Sequence, residues 1–254
     1  MKDIKKFIEL LKIVEKLRGP DGCPWDKEQT HESLLPYLLE ETYEVIESIE
    51  ELKLDNLKEE LGDVLLHVVL QTQIASENSK FNMNDVLDTI NTKLIKRHPH
   101  VFGKKRVDAA FEAKQNWEAV KHKEKNRKSR LDGVPNILPA LIRAQRLQEK
   151  AAYTGFDWDN MDDVWEKIYE ELDELKAAQE KGDFNNIKEE IGDILFSVVN
   201  LARKLNVPAE DMLRATNKKF VNRFQNIEKV IEAKGQTMEE VTLQEMEKIW
   251  DESK

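Results

Sequence analysis

Residues 38–66 read LLEETYEVIESIEELKLDNLKEELGDVLL, and residues 168–196 read IYEELDELKAAQEKGDFNNIKEEIGDILF. Glu40, Glu41, Glu44, Glu60 and Asp63 of the first stretch recur at Glu170, Glu171, Glu174, Glu190 and Asp193 of the second, each 130 residues on. Apolar residues keep a three- and four-residue spacing in both. Leu34, Leu38, Val45, Ile49 and Leu52, then Leu57, Leu61, Val64 and Val68, do so in the first; Trp165, Ile168, Leu175 and Ala178, then Ile187, Ile191, Ile194 and Val198, do so in the second. Each stretch is therefore expected to be two amphipathic helices, and few segments alternate as a strand must. The expected fold class is all-α, two tandem copies of one helical unit.

The register of the acids says how the helices meet. Glu41 and Glu44 are three apart, as are Glu60 and Asp63, so each pair shares a helical face. Positions 44 and 60, and equally 41 and 63, are centred on residue 52; in the second copy 174 with 190, and 171 with 193, are centred on Gly182. An antiparallel hairpin turning at 52 and at 182 would bring four carboxylates level in each copy. Glu41, Glu60, Glu171 and Glu190 also fall on the apolar stripes, where a desolvated charge needs a partner. No Lys or Arg is expected on those stripes, so a divalent cation is the expected counter-charge. Ligands that are all oxygen suit Mg²⁺, with Mn²⁺ as the substitute, better than Zn²⁺. A di-iron bundle needs Glu-x-x-His on paired helices; His31, His67, His98 and His100 lie in the first copy and His122 in the segment after it, and the second copy has none.

Flanking pieces repeat as well. Gly22-Cys-Pro-Trp25-Asp26 is similar to Gly155-Phe-Asp-Trp158-Asp159, Asn91-Thr-Lys93 with Arg97 to Asn217-Lys-Lys219 with Arg223, and Trp117 to Trp250. Between the copies lies KHKEKNRKSR, Lys121 to Arg130, followed by the turn-prone Leu-Asp-Gly133-Val-Pro135. The expected organisation is an N-terminal domain over 1–120, a charged linker over 121–136 and a C-terminal domain over 137–254. The basic run is read as solvated linker, with a phosphate-binding patch as the alternative.

Charged residues make up 35% of the chain, but both signs are interleaved with apolar residues, which indicates amphipathic helices rather than disorder. A net charge of −10 argues against stable duplex nucleic-acid binding. The lone Cys23, the absence of a signal-like apolar start and the lack of any long uncharged apolar run predict a cytoplasmic protein with no membrane span.

Glu40-Glu41-x-x-Glu44 with Glu60-x-x-Asp63, and Glu170-Glu171-x-x-Glu174 with Glu190-x-x-Asp193, resemble the hallmark of the MazG-type nucleoside triphosphate pyrophosphohydrolases, an all-α superfamily. The runs Gly22 to His31 and Arg97-His-Pro-His-Val-Phe-Gly103, and Gly155-Phe-Asp-Trp158, resemble it too, so the likeness spans the chain in tandem form. The resemblance implies Mg²⁺-dependent hydrolysis of NTPs and dNTPs between the α and β phosphates, giving a nucleoside monophosphate and pyrophosphate in house-cleaning of nucleotide pools. It implies a homodimer whose hairpins complete four-helix bundles. It makes Glu171, Glu174, Glu190 and Asp193 the catalytic metal ligands, with Glu41, Glu44, Glu60 and Asp63 as a second metal set. In two-copy relatives the C-terminal copy is commonly the active one.

Triphosphate hydrolysis also needs cations and a base. Lys219 and Arg223, four apart, with Asn217 nearby, are expected to meet the phosphates, and Lys188 and Glu189 lie beside Glu190. Trp250 and Phe224 complete the expected nucleotide-binding set, while Leu213, Thr216, Phe220, Phe224 and Ile227 are expected to bury that helix. Trp25 and Trp158 are expected to pin the loops before the acid hairpins to the bundle. Glu170, Glu189 and Glu190 are the candidates for the base. The competing readings are a non-catalytic nucleotide- or metal-sensing scaffold and a hydrolase of another nucleotide diphosphate linkage.

Overall fold

Helices follow the apolar spacing, and the side chains of Asn82, Asn160, Asp183 and Thr242 cap the first amides of the helices that follow them. The computed structural model describes residues 2–103, 106, 109–125 and 127–253; among these there are helices and no strand. The chain divides into two compact units, Met1–Ala113 and Lys114–Lys254. None of the helices is long and apolar enough to cross a membrane.

The first unit holds α1 (Lys2–Arg18), α2 (Pro24–Glu28), α3 (Leu35–Glu50), α4 (Leu54–Glu77), α5 (Met83–Arg97) and α6 (Pro99–Phe102). α7 (Ala110–Glu124) runs across the division. The second unit continues with α8 (Ala140–Ala152), α9 (Met161–Lys181), α10 (Phe184–Lys204), α11 (Ala209–Ala233), a 3₁₀ turn at Met238–Glu240 and α12 (Leu243–Glu252).

α3 packs along α4, and α9 along α10, as the two expected hairpins. Both reverse at the residues on which the acids are centred. Leu52 has φ 57° and Gly182 has φ 67°, the left-handed conformation that closes a helix C-terminus. The Lys53 amide donates back to the Ser48 carbonyl (3.0 Å) and the Asp183 amide to the Ala178 carbonyl (3.1 Å), so the two turns match bond for bond. Asp183 then starts α10, its carboxylate accepting from the Asn185 and Asn186 amides.

Leu52 was expected inside the apolar stripe. It is instead 85% exposed, beyond the last helical residue, so its side chain stabilises nothing while its backbone carries the left-handed strain that glycine avoids. Leu52→Gly is expected to raise stability by roughly 1 kcal/mol. Gly182→Ala, where an added Cβ meets no atom within 4 Å, is expected to lower it by a similar amount. Denaturant midpoints of the full chain measure both.

The first unit's core is Val14, Leu34, Val69, Leu70 and Ile74, with Phe7, Leu10, Leu11, Leu66 and Met83 against it. It sits where α1 meets the second half of α4. Arg18 secures that end by pairing with Glu77 at 2.8 Å. In the second unit, Ile227, Ile231 and Ile249 join α11 to α12, while Val164, Ile168, Ala178 and Val199 are buried on the hairpin. The stripes are only partly covered within one chain: Ile49, Leu61, Val68, Trp165, Ile191 and Val198 are exposed. α11 likewise departs from expectation, since Leu213, Phe220 and Phe224 are exposed and burial begins at Ile227.

Candidate metal centre

The hairpins carry the acids to one height. In the first copy, carboxylate oxygens of Glu41, Glu60 and Asp63 lie within 4.8 Å of one another; in the second, those of Glu171, Glu174 and Glu190 do. The fourth acid of each set stands beside this group. Glu44 raises the proton affinity of both Glu41 and Glu60, by its charge and by a hydrogen bond. Asp193, which is exposed, raises that of Glu190 by its charge. Glu171 is 4% exposed and Glu190 8%.

Burial and mutual repulsion show in the proton affinities. Burial first, then the charges of Asp63 and Glu44, push the Glu41 carboxyl up to about 7. Burial and then the charges of Glu174, Glu171 and Asp193 raise Glu190. Acids placed so that they resist ionising together are a fit for a hard divalent cation, which neutralises what the protein otherwise must protonate.

A pH dependence follows for the metal-free chain. Between pH 4.5, the ordinary value, and about 7, folded Glu41 keeps a proton that the unfolded chain has released. The folded state therefore binds more protons, and stability falls as pH rises through that window. Glu41→Gln is expected to raise the melting temperature in EDTA at pH 8 and to leave it unchanged at pH 4. Equal shifts at both pH values would mean that the gain is not electrostatic.

The copies differ in their counter-charge. Lys167, four residues before Glu171, places its ammonium 2.7 Å from that carboxylate and 3.1 Å from Glu170. The hydrogen bond to Glu171 holds the lysine well above its ordinary value. This corrects the expectation that no cation shares the stripe, and the i to i+4 spacing was the signal for it. The first copy has Tyr37 at the matching position, edge-on to Trp25 at 5.9 Å. One turn beyond Asp63 it has buried His67, where the second copy has Ser197; burial holds that imidazole below its ordinary value.

A second group gathers on α11 and α12. The Arg223 guanidinium lies 5.4 Å from the Trp250 ring, Phe220 is 5.4 Å from the same ring, and Phe224 stacks on Phe220 at 6.1 Å. Asn217 and Lys219 are exposed on α11, which packs against α10 as well as α12. Lys188 lies over the Phe184 ring at 4.6 Å, and Glu189 is exposed. Trp25, expected to pin its loop, meets Tyr37 of α3 edge-on while half its surface stays exposed, and Trp158 is 41% exposed. Arg203 and Lys204 secure the second of these loops instead, through Asp157.

In the first copy that second group is not assembled in the same way. Leu94 and His98 stand where the second copy has Phe220 and Phe224, Arg97 is buried, and Trp117 belongs to the second unit.

Known proteins are similar to this chain along most of its length. The family model of the MazG nucleotide pyrophosphohydrolase domain matches twice, at residues 29–102 and 161–228. The chain is 50% identical over 250 residues to a nucleoside triphosphate pyrophosphohydrolase/pyrophosphatase MazG of Thermotoga maritima, covering 98% of this chain and 95% of that protein. It is 45% identical over 251 residues to a nucleoside triphosphate pyrophosphohydrolase of Escherichia coli K12, covering 96% and 95%. An uncharacterized Bacillus subtilis protein, YabN, is 45% identical over 252 residues, which are 98% of this chain and 52% of that protein. Two matched domains, each enclosing one acid hairpin, and similarity along nearly the whole chain place it in the MazG nucleotide pyrophosphohydrolase family.

Proposed function

We propose that the chain hydrolyses nucleoside triphosphates to nucleoside monophosphate and pyrophosphate, and that the second copy carries the reaction. The observation that carries this reading is the convergence of buried Glu171 and Glu190 with exposed Glu174 at one point, in a unit that also supplies cations and an aromatic surface. Glu171, Glu174, Glu190 and Asp193 would hold Mg²⁺, or Mn²⁺ in its place; Glu41, Glu44, Glu60 and Asp63 would hold a second ion. When bound, such an ion neutralises phosphate charge and acidifies water.

The chain's own groups do the remainder. Lys219, Arg223 and Asn217 would receive the phosphates, and Lys188 would add a mobile charge at the rim. Trp250 and Phe224 offer faces on which a base can stack, a contact indifferent to base identity. Lys167 keeps a fixed positive charge at Glu171. Of the three candidate bases, Glu170 is engaged with Lys167 and Glu189 faces solvent. Glu190 remains; it is buried among the other acids, and an oxygen of it left free by the metal would take a proton from the attacking water.

We further propose a homodimer. Leu35, Leu39, Leu61, Leu65 and Val68 are exposed in the first unit, and Trp165, Tyr169, Ile191, Leu195 and Val198, each 130 residues on, are exposed in the second. An apolar face that is repeated copy for copy and left bare by one chain suits closure into a bundle by a second chain. Domains over 1–120 and 137–254 joined by 121–136, and a cytoplasmic setting for the single thiol of Cys23, complete the proposal.

The test is product analysis on a panel of NTPs and dNTPs. Pyrophosphate release that EDTA stops and Mg²⁺ restores is the expected result. Nucleotide binding without turnover would favour a sensor, and orthophosphate as the sole inorganic product would place the cleavage elsewhere.

A further inference from the structure

The basic run Lys121 to Arg130 has no part in the acid hairpins. Its first residues finish α7, and with α8 they wall a cavity of about 460 Å³ in the second unit. Gln115, Glu118, His122, Arg130, Lys150 and Tyr153 line it. The walls are fixed from within. Lys150, 5% exposed, donates to Glu118 (2.9 Å) and to the Arg130 carbonyl (3.3 Å), and Gln115 donates to the Tyr153 carbonyl (3.1 Å).

The charge balance around the cavity is opposite to that of the chain. Glu118 faces Lys150 at 2.9 Å, Arg146 at 3.7 Å and Lys121 at 3.9 Å. Glu149 faces Arg146 and, at 3.4 Å, Lys114. Two carboxylates are thus shared among four cations, and a third, Asp132, faces Arg127 and His122. The exposed guanidinium of Arg130 is a further cation, and it has no acid partner among the described residues. In a protein of net charge −10 this is a local positive excess, and it draws anions. One polar atom also lacks a partner: Nε2 of His122 is buried and meets no hydrogen-bonding group among the described residues. A buried polar atom left so is costly unless a ligand or water meets it.

We propose that this cavity binds a small phosphate-bearing anion. Phosphate oxygens would accept from the Arg130 fork, which matches their geometry, and from His122 Nε2. The volume falls in the range of small-molecule sites, and pyrophosphate, a product of the proposed reaction, is the member of this class the chain would itself generate. The site lies on α7, α8 and the loop after α7, so the proposal does not rest on the assignment of the acid hairpins.

Titration calorimetry of the full chain in EDTA, with pyrophosphate and with orthophosphate as separate probes, tests it. The expected result is one saturable site per chain for pyrophosphate. Arg130→Gln should weaken it at least tenfold, Arg130→Glu more, and His122→Phe measurably, with unchanged circular dichroism. A Lys219→Ala, Arg223→Ala double variant should bind as the parent does. Equal affinity for orthophosphate would keep the site and assign it to a single phosphate group. Failure of the parent to bind either anion would overturn the proposal. So would binding that survives Arg130→Glu, or binding abolished by the double variant. Because neither probe is a nucleotide and binding is read directly, each of these outcomes is distinct from failure of the proposed catalytic reading.

Discussion

Glu174→Gln and Glu190→Gln are each expected to reduce pyrophosphate release more than ~100-fold, the upper end of what loss of a group merely supporting a metal ligand costs. Glu44→Gln and Glu60→Gln, the matching changes in the first copy, are expected to stay within about threefold of the parent. The comparison is stringent because stability and activity should move in opposite directions. Each substitution removes one negative charge from a crowded carboxylate group while keeping the side chain's size. Glu190 is held above its ordinary value by burial and by three neighbouring acids. Its neutral isostere should therefore leave the metal-free fold as stable as before, or more so. An inactive variant that melts no lower than the parent has lost chemistry, not structure. Steady-state release of pyrophosphate from a dNTP, with melting curves on the same samples, gives the result. If the first-copy variants are the inactive pair, the assignment of turnover to the second copy is wrong.

Much of this site was legible because helices convert spacing into position. Two acid pairs centred on one residue can be level only if the chain turns there, and Leu52 and Gly182 are where it turns. Gly182 announces such a turn by its type; Leu52 does not, and only the pairing of Glu44 with Glu60 pointed to it. Lys167 was missed although it stands one helical turn before Glu171, because its stem follows the apolar stripe while its ammonium reaches the acids. The exposure of Leu213, Phe220 and Phe224 on α11 was not legible either. Periodicity marks an apolar face, but it does not say whether the same chain or another covers it. Cavity walls are hidden for a related reason: Glu118 and Lys150 are 32 residues apart, and no periodicity links them.

The uncovered faces supply the other large effect. A Tyr169→Lys, Leu195→Glu double variant is expected to convert the proposed dimer of the full chain into a monomer at micromolar concentration, as read by light scattering on a sizing column. Tyr169 is 60% exposed and Leu195 54% in one chain, on the two helices of the second hairpin. Burying one large apolar side chain contributes about 1.5–3 kcal/mol. In a twofold interface each substitution counts twice, so two positions remove roughly 6 kcal/mol before any cost of burying the new charges. A micromolar dimer is held by about 8 kcal/mol, which leaves too little for association. Leu39→Lys with Leu65→Glu, the matching positions in the first unit, makes the same test of the first hairpin. Turnover of the monomeric variant then separates two roles for the face. Tyr169 and Glu171, two residues apart on α9, and Asp193 and Leu195, two apart on α10, lie on opposite sides of their helices, so the substitutions leave the acids' own face unaltered. Activity that falls with the dimer places the second chain in the working site. Full activity in the monomer makes each second unit self-sufficient and confines the repeated apolar face to assembly.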